Sequence, residues 1–110
     1  MKQPSDLEAR IINALDKLKI RYVFQYELWG GTSFRGGVIV DFLILNPFPI
    51  PVEAYGDYWH KDDLSSEERL RLARIEQCFQ REVKIIWGHE AETQEDADRV
   101  VEDRIGGATF

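Results

Sequence analysis

The feature that most constrains this chain is a pair of acidic residues inside two apolar, strand-like runs. Asp41 lies in the run 38–45, and Glu53 follows in the run 49–55. A lone carboxylate buried in a strand is costly unless something positive binds it. Because alternate residues of a strand share a face, an adjacent hairpin would bring both carboxylates together near one end of a sheet. Two carboxylates and a backbone carbonyl suit Mg²⁺; the alternative is that both acids sit at strand ends and meet solvent.

The remaining pattern predicts one α/β (α+β) domain over residues 1–110, with element order αβββαβα. Apolar residues recur at helical spacing after three capping positions. We predict helices that begin at Ser5 with Glu8, at Ser65 with Glu68 and at Thr93 with Asp96, and strands over 21–29, 38–45, 49–55 and 83–87. Cys78, among the apolar positions of the second helix, is predicted to be a buried small residue.

The net charge of −6 argues against simple electrostatic binding of nucleic acid by the whole surface. Most of this charge lies in residues 90–110, which carry seven acids and two arginines and form an acidic C-terminal helical extension. The single cysteine excludes an intramolecular disulfide and a cysteine-cluster zinc site. No apolar run approaches the roughly 20 residues of a membrane span, and no signal region precedes the first helix, so we expect a cytoplasmic protein without membrane contact.

The acidic pair and its surroundings resemble the PD-(D/E)XK nucleases. Asp41 followed by Glu53-Ala54-Tyr55 is similar to the D-x(n)-E-x-K core of that superfamily. Glu8 in the first helix, the Asp41-Phe42 pair and the segment Gly56 to His60 (GDYWH) more closely resemble the very short patch repair endonucleases and the EDxHD homing endonucleases of phage and bacteria. The resemblance implies a restriction-endonuclease-like αβββαβ core, a mixed central sheet flanked by helices, followed by the C-terminal helix.

The function implied by the resemblance is metal-dependent DNA endonuclease activity, in which metal-activated water hydrolyses a phosphodiester bond. The cofactor would be Mg²⁺, with Mn²⁺ able to substitute. Asp41 would be the principal metal ligand, joined by the backbone carbonyl of Ala54 and by Glu53. His60 would act as general base or position the water, since its pKa suits proton transfer near neutrality. Glu8 would approach the site from the first helix, or serve only as the capping-box glutamate.

Five residues are predicted DNA contacts: Arg71 and Arg74 on the second helix, Lys61 and Trp59 beside the histidine, and Arg35 in the glycine-bracketed loop. Basic side chains contact phosphates. The alternative for the helix arginines is pairing with glutamates three or four residues away, and for Trp59 it is packing on the sheet. The expected substrate is double-stranded DNA in a bacterial or phage-infected cell, with a homodimer or a targeting protein as further partner.

Two departures from the resemblance matter. Tyr55 stands where the superfamily has its lysine, although the repair enzymes lack that lysine too and use histidine. The chain also has no cysteine-histidine cluster like the structural zinc site of the repair enzymes. The missing lysine, the acidic balance and the small size of the chain favour a catalytically inactive nuclease-fold module in a phage particle or larger complex.

Overall fold

The computed structural model describes residues 3–33, 35–46, 48–56 and 64–106, which form a mixed α/β fold with a four-stranded sheet and three α-helices. The predicted element order is confirmed over these residues. The helices are α1 (Asp6–Lys17), α2 (Ser66–Phe79) and α3 (Gln94–Arg104), and the strands are β1 (Tyr22–Leu28), β2 (Val38–Ile44), β3 (Ile50–Tyr55) and β4 (Lys84–Trp87). No helix in these ranges is long and apolar enough to cross a bilayer.

The sheet has the order β1-β2-β3-β4 and helices on both faces. The first three strands are antiparallel, whereas β4 runs parallel to β3, which requires the crossover that α2 provides. On one face, Ile11 of α1 and Val101 of α3 belong to the same buried cluster as Phe42. On the other face, Ile75 of α2 packs in a second cluster with Val40. The core is therefore two apolar layers separated by the sheet.

All three helices begin at the predicted caps. Ser5 accepts a hydrogen bond from the N–H of Glu8 at 3.1 Å, and the Glu8 carboxylate accepts from the N–H of Ser5 at 2.8 Å, which completes the predicted capping box. Ser65 and Thr93 also accept from the N–H three residues on. The carboxylate of Glu68, however, accepts from side chains that lie against the sheet. Local sequence thus determines where each helix starts.

The regular alternation of side chains between the two faces of the sheet breaks at Asp41. Strict alternation would place Val40 and Phe42 on one face, yet they belong to the clusters on opposite faces. In β1, the register places Gln25 opposite Asp41, and Gln25 has a φ of 57°, a left-handed conformation that is uncommon outside glycine. In both paired strands, therefore, the side chains on either side of this point face opposite sides of the sheet. Asp41 lies at this backbone irregularity.

The outer edge of β4 is closed by an ion pair. Arg104 donates to the carbonyl of Ile85 at 2.9 Å, and Glu90 accepts from the N–H of Trp87 at 3.1 Å. Arg104 and Glu90 also bond to each other, and this bond holds the pKa of Glu90 below its ordinary value. An added strand would pair with the free N–H and C=O groups of such an edge. The ion pair therefore occupies the groups that would recruit another chain.

The prediction that Cys78 is buried is wrong, because its side chain is exposed. Leu72, Ile75 and Phe79 form the stripe that packs toward the sheet. A helix turns by about 100° per residue, which places Cys78 to the side of this stripe. There it lines a shallow groove together with Trp29.

Candidate active site

Asp41 and Glu53 lie side by side where β2 and β3 part. The ladder between these strands ends at the pair Phe42–Val52, and one further step would pair the two acids. Side chains replace the ladder there: the N–H of Asp41 donates to Oε2 of Glu53 at 2.7 Å, and the N–H of Ala54 donates to Oδ2 of Asp41 at 2.8 Å. The predicted convergence of the two carboxylates at one end of the hairpin is confirmed.

Glu53 is buried, and Arg71 neutralises it. The Glu53 side chain is 1% exposed, and a buried carboxylate needs a counter-charge. Arg71 Nη1 forms ion pairs with Oε1 of Glu53 and, at 2.8 Å, with Glu68, while Nη2 donates to the carbonyl of Ile39. Arg71 precedes Ile75 by one helical turn, so it points toward the sheet. The alternative of pairing within the helix is confirmed for Arg71 and Glu68.

Burial raises the pKa values of both carboxylates. For Asp41 burial is the largest cause and the charge of Glu8 adds to it, whereas the N–H of Ala54 opposes it. For Glu53 burial and then the charge of Asp41 raise the pKa to about 8, against the opposing charge of Arg71. Like charges this close disfavour double ionisation. Burial and the repulsion between the two carboxylates therefore favour the neutral acid at this pair, whereas the Arg71 guanidinium favours the charged form of Glu53.

Tyr55 occupies the position of the superfamily lysine but brings no charge. Its hydroxyl donates to Glu68 at 2.9 Å, and its ring packs against Trp87 with centroids 5.2 Å apart. Burial, followed by the hydrogen bond to Glu68, raises the pKa of Tyr55, so the hydroxyl stays neutral. The positive charge beside Glu53 comes instead from Arg71 on α2.

A cleft of about 720 Å³ opens beside Asp41. The first turn of α1 forms one wall with Glu8, the end of β3 contributes Ala54, and the segment before α3 contributes Gly88 and Glu92. Sequence reasoning missed Glu92, which lies in a polar turn and carries no periodic or motif signal. Four acids from three parts of the chain therefore line the cleft, namely Asp6 and Glu8 of α1, Asp41 of β2 and Glu92 before α3, together with the basic Arg10.

Glu8 serves as the capping-box glutamate and also lines the cleft, so it meets both alternatives that the sequence left open for its position. Its carboxylate closes the capping box with Ser5. It also lines the cleft, and its charge contributes to the raised pKa of Asp41. The cap is confirmed, and the catalytic role of Glu8 stays a prediction.

The oxygen atoms that line the cleft suit a metal ion that needs few ligands from the protein. Among residues 3–33, 35–46, 48–56 and 64–106, no three or more histidine, cysteine, aspartate or glutamate side chains form a group that could hold a metal ion. Asp41 and Ala54 line the cleft, whereas both oxygens of Glu53 have partners in the protein. Mg²⁺ often binds through one or two carboxylates and keeps several waters. Asp41 and the backbone of Ala54 would suit such an ion, while Glu53 is paired with Arg71.

The other helix arginine predicted to contact DNA lies on the outer surface. Arg74 donates to the carbonyl of Gly36 at 2.8 Å, and its guanidinium lies 4.6 Å from the ring centroid of Trp29. Arg35 is exposed in the same loop. These two arginines share a surface with an exposed tryptophan, apart from the half-buried Arg71, and their contact with DNA stays a prediction.

Trp59, His60 and Lys61 lie outside the described residues. The predicted general base and two predicted DNA contacts therefore stay predictions. The chain enters this segment from Gly56, which lines the cleft beside Asp41.

No protein-family model, curated protein or solved structure matches this chain. Support for a function therefore comes from the geometry of the site and from the sequence motifs.

Proposed function

We propose that this chain is a Mg²⁺-dependent DNA endonuclease of the PD-(D/E)XK superfamily, with a restriction-endonuclease-like core close to the very short patch repair and EDxHD branch. The observation that carries the proposal is the position of Asp41, at the open end of the β2–β3 hairpin and on the wall of a cleft. A mixed sheet with β4 parallel to β3 and helices on both faces is consistent with this core.

Each residue of the site has a distinct role in this proposal. Asp41 and the carbonyl of Ala54 would hold the metal, and Glu53 would orient Asp41 by accepting its N–H. Bound there, Mg²⁺ would lower the pKa of a water molecule and stabilise the charge that develops on the phosphate. His60 would accept the proton of that water, and Glu8 would orient the water from α1.

The proposed substrate is double-stranded DNA in the cytoplasm of a bacterial or phage-infected cell. The outer surface with Arg35 and Arg74 would contact phosphates, and Lys61 and Trp59 would contribute from the segment after Gly56. Cleavage of both strands would need a second active site, which a homodimer or a targeting partner would supply.

Cleavage of supercoiled plasmid tests the proposal. Asp41→Asn keeps the shape of the side chain but removes its charge, so we expect the Mg²⁺-dependent nicking rate to fall by at least about a hundredfold. Asp98→Asn is the matched control, because Asp98 lies on α3 and pairs with Lys17 at 2.8 Å, away from the cleft. Equal nicking by the wild type and Asp41→Asn would contradict the proposal, as would no nicking by either with Mg²⁺ or Mn²⁺.

A specific observation favours the second candidate, a catalytically inactive nuclease-fold module. The Arg71 guanidinium already neutralises Glu53, and the described part of the chain holds no group of three potential metal-ligating side chains. Calorimetry with Mg²⁺ separates the two candidates. The enzyme would bind the ion and lose that binding in Asp41→Asn, whereas an inactive module would show no binding that depends on Asp41.

A further inference from the structure

Both carboxylate oxygens of Glu53 already have a partner in the protein. Oε2 accepts the N–H of Asp41 at 2.7 Å, and Oε1 forms an ion pair with Arg71 Nη1. The first bond belongs to the backbone at the end of the hairpin, whereas the second comes from a side chain on α2. A divalent cation that contacts Oε1 of Glu53 therefore meets the positive charge of the Arg71 guanidinium there.

We infer that Arg71 is an internal counter-ion that competes with a divalent cation for Glu53 and so sets the metal affinity of the site. The inference rests on the proposed function, since it concerns the same site. Guanidinium and Mg²⁺ both bind carboxylate oxygens strongly. Because two positive charges at the same oxygen repel each other, a stronger hold by Arg71 weakens the binding of the metal.

The surroundings of Arg71 allow this exchange. The Arg71 side chain is 28% exposed, whereas Glu53 is 1% exposed, so Arg71 is the partner with room to move. Glu68, one turn earlier on α2, holds the same guanidinium nitrogen at 2.8 Å and is itself 22% exposed. Glu68 can therefore retain Arg71 when Glu53 turns to the metal.

Calorimetric titration with Mn²⁺ measures the competition directly. Arg71→Gln removes the charge that occupies Oε1, and we expect it to bind Mn²⁺ at least about tenfold more tightly than the wild type does. Arg69→Gln is the matched control, because Arg69 lies on the same helix and its side chain donates to the carbonyl of Leu64 at 3.1 Å, away from Glu53. Its Mn²⁺ affinity should equal that of the wild type.

A second measurement uses the wild-type protein and does not depend on how well Arg71→Gln folds. The Nε–H signal of Arg71 in a ¹H–¹⁵N NMR spectrum is assigned by its loss in Arg71→Lys. Titration with Mg²⁺ should shift this signal as the site fills, while the Nε–H signal of Arg69 stays in place.

The outcomes separate this inference from the proposed function. Equal Mn²⁺ affinity of the wild type and Arg71→Gln, with binding abolished in Asp41→Asn, overturns the inference and leaves the proposed function standing. An equal gain in Arg69→Gln, or an Arg71 signal that stays fixed at saturating Mg²⁺, also overturns it. No binding of Mn²⁺ by the wild type or by Arg71→Gln overturns both.

Discussion

Replacing Glu53 with glutamine should remove a large pH dependence from the stability of the fold. Burial raises the pKa of Glu53 from 4.5 to about 8 in the folded protein. As the pH rises, the unfolded chain therefore releases this proton before the folded chain does. The stabilisation that comes from the protonated group is complete below pH 4.5 and is lost as the pH rises through 8.

The size of the effect follows from the same pKa values. One pKa unit corresponds to about 1.4 kcal/mol, so a rise from 4.5 to about 8 corresponds to about 5 kcal/mol. Between these values the free energy of unfolding should fall by about 1.4 kcal/mol per pH unit because of this one group. Small domains have a total stability of about 5–15 kcal/mol, so the effect is a large part of the whole.

Urea denaturation followed by tryptophan fluorescence, repeated at pH values from about 5 to about 9, measures this slope. The stability of the wild type should fall relative to that of Glu53→Gln as the pH rises. Glu82→Gln is the control, because Glu82 is exposed just beyond α2 and its variant should follow the wild type. Parallel pH profiles for the wild type and Glu53→Gln, or a wild type that gains relative stability with rising pH, would refute the reasoning.

The remaining predictions concern the fold around the site. Ser5→Ala removes the cap of α1 and should lower the free energy of unfolding by about 1 kcal/mol, measured by thermal denaturation. Gly37→Ala places a Cβ 1.8 Å from a backbone carbonyl and should cost about 3 kcal/mol or more. Gly56→Ala meets no atom within 4 Å among the residues that the structure describes, and this variant should fold normally. Arg104→Met frees the carbonyl of Ile85 at the edge of β4 and should give concentration-dependent association in sedimentation velocity. Arg99→Met is the control and should not associate, because Arg99 pairs with Asp96 on α3. If neither variant associates, the ion pair does not protect the edge of β4.

The elements of this fold were predictable because each depends on a local signal. Ser5, Ser65 and Thr93 satisfy N–H groups at the start of a helix, an interaction that spans only three residues of sequence. The apolar runs of β2 and β3 indicated strands covered on both faces, and their short separation indicated a hairpin. The convergence of Asp41 and Glu53 follows from that hairpin alone, which is why the sequence was sufficient to predict it.

The features that escaped prediction depend on contacts between distant elements. Arg71 was predicted to contact DNA or to pair with a glutamate of its own helix. Its pair with Glu53 escaped prediction, although its position one turn before Ile75 was a signal that it faces the sheet. The break in side-chain alternation at Asp41 coincides with the left-handed backbone of Gln25 on the neighbouring strand, and no local sequence pattern predicts this break. Cys78 lies at the margin of an apolar stripe, where packing rather than spacing decides exposure.

The central claim is that Asp41 holds a divalent cation for phosphodiester hydrolysis. A crystal structure of the protein soaked in Mn²⁺, with the metal located by anomalous scattering, tests it most directly. We predict a peak bonded to the Asp41 carboxylate and the Ala54 carbonyl, with His60 within reach of a metal-bound water. A cleft without a peak at saturating Mn²⁺, or a metal bound elsewhere while Asp41 keeps only its hydrogen bond to Ala54, would contradict the account.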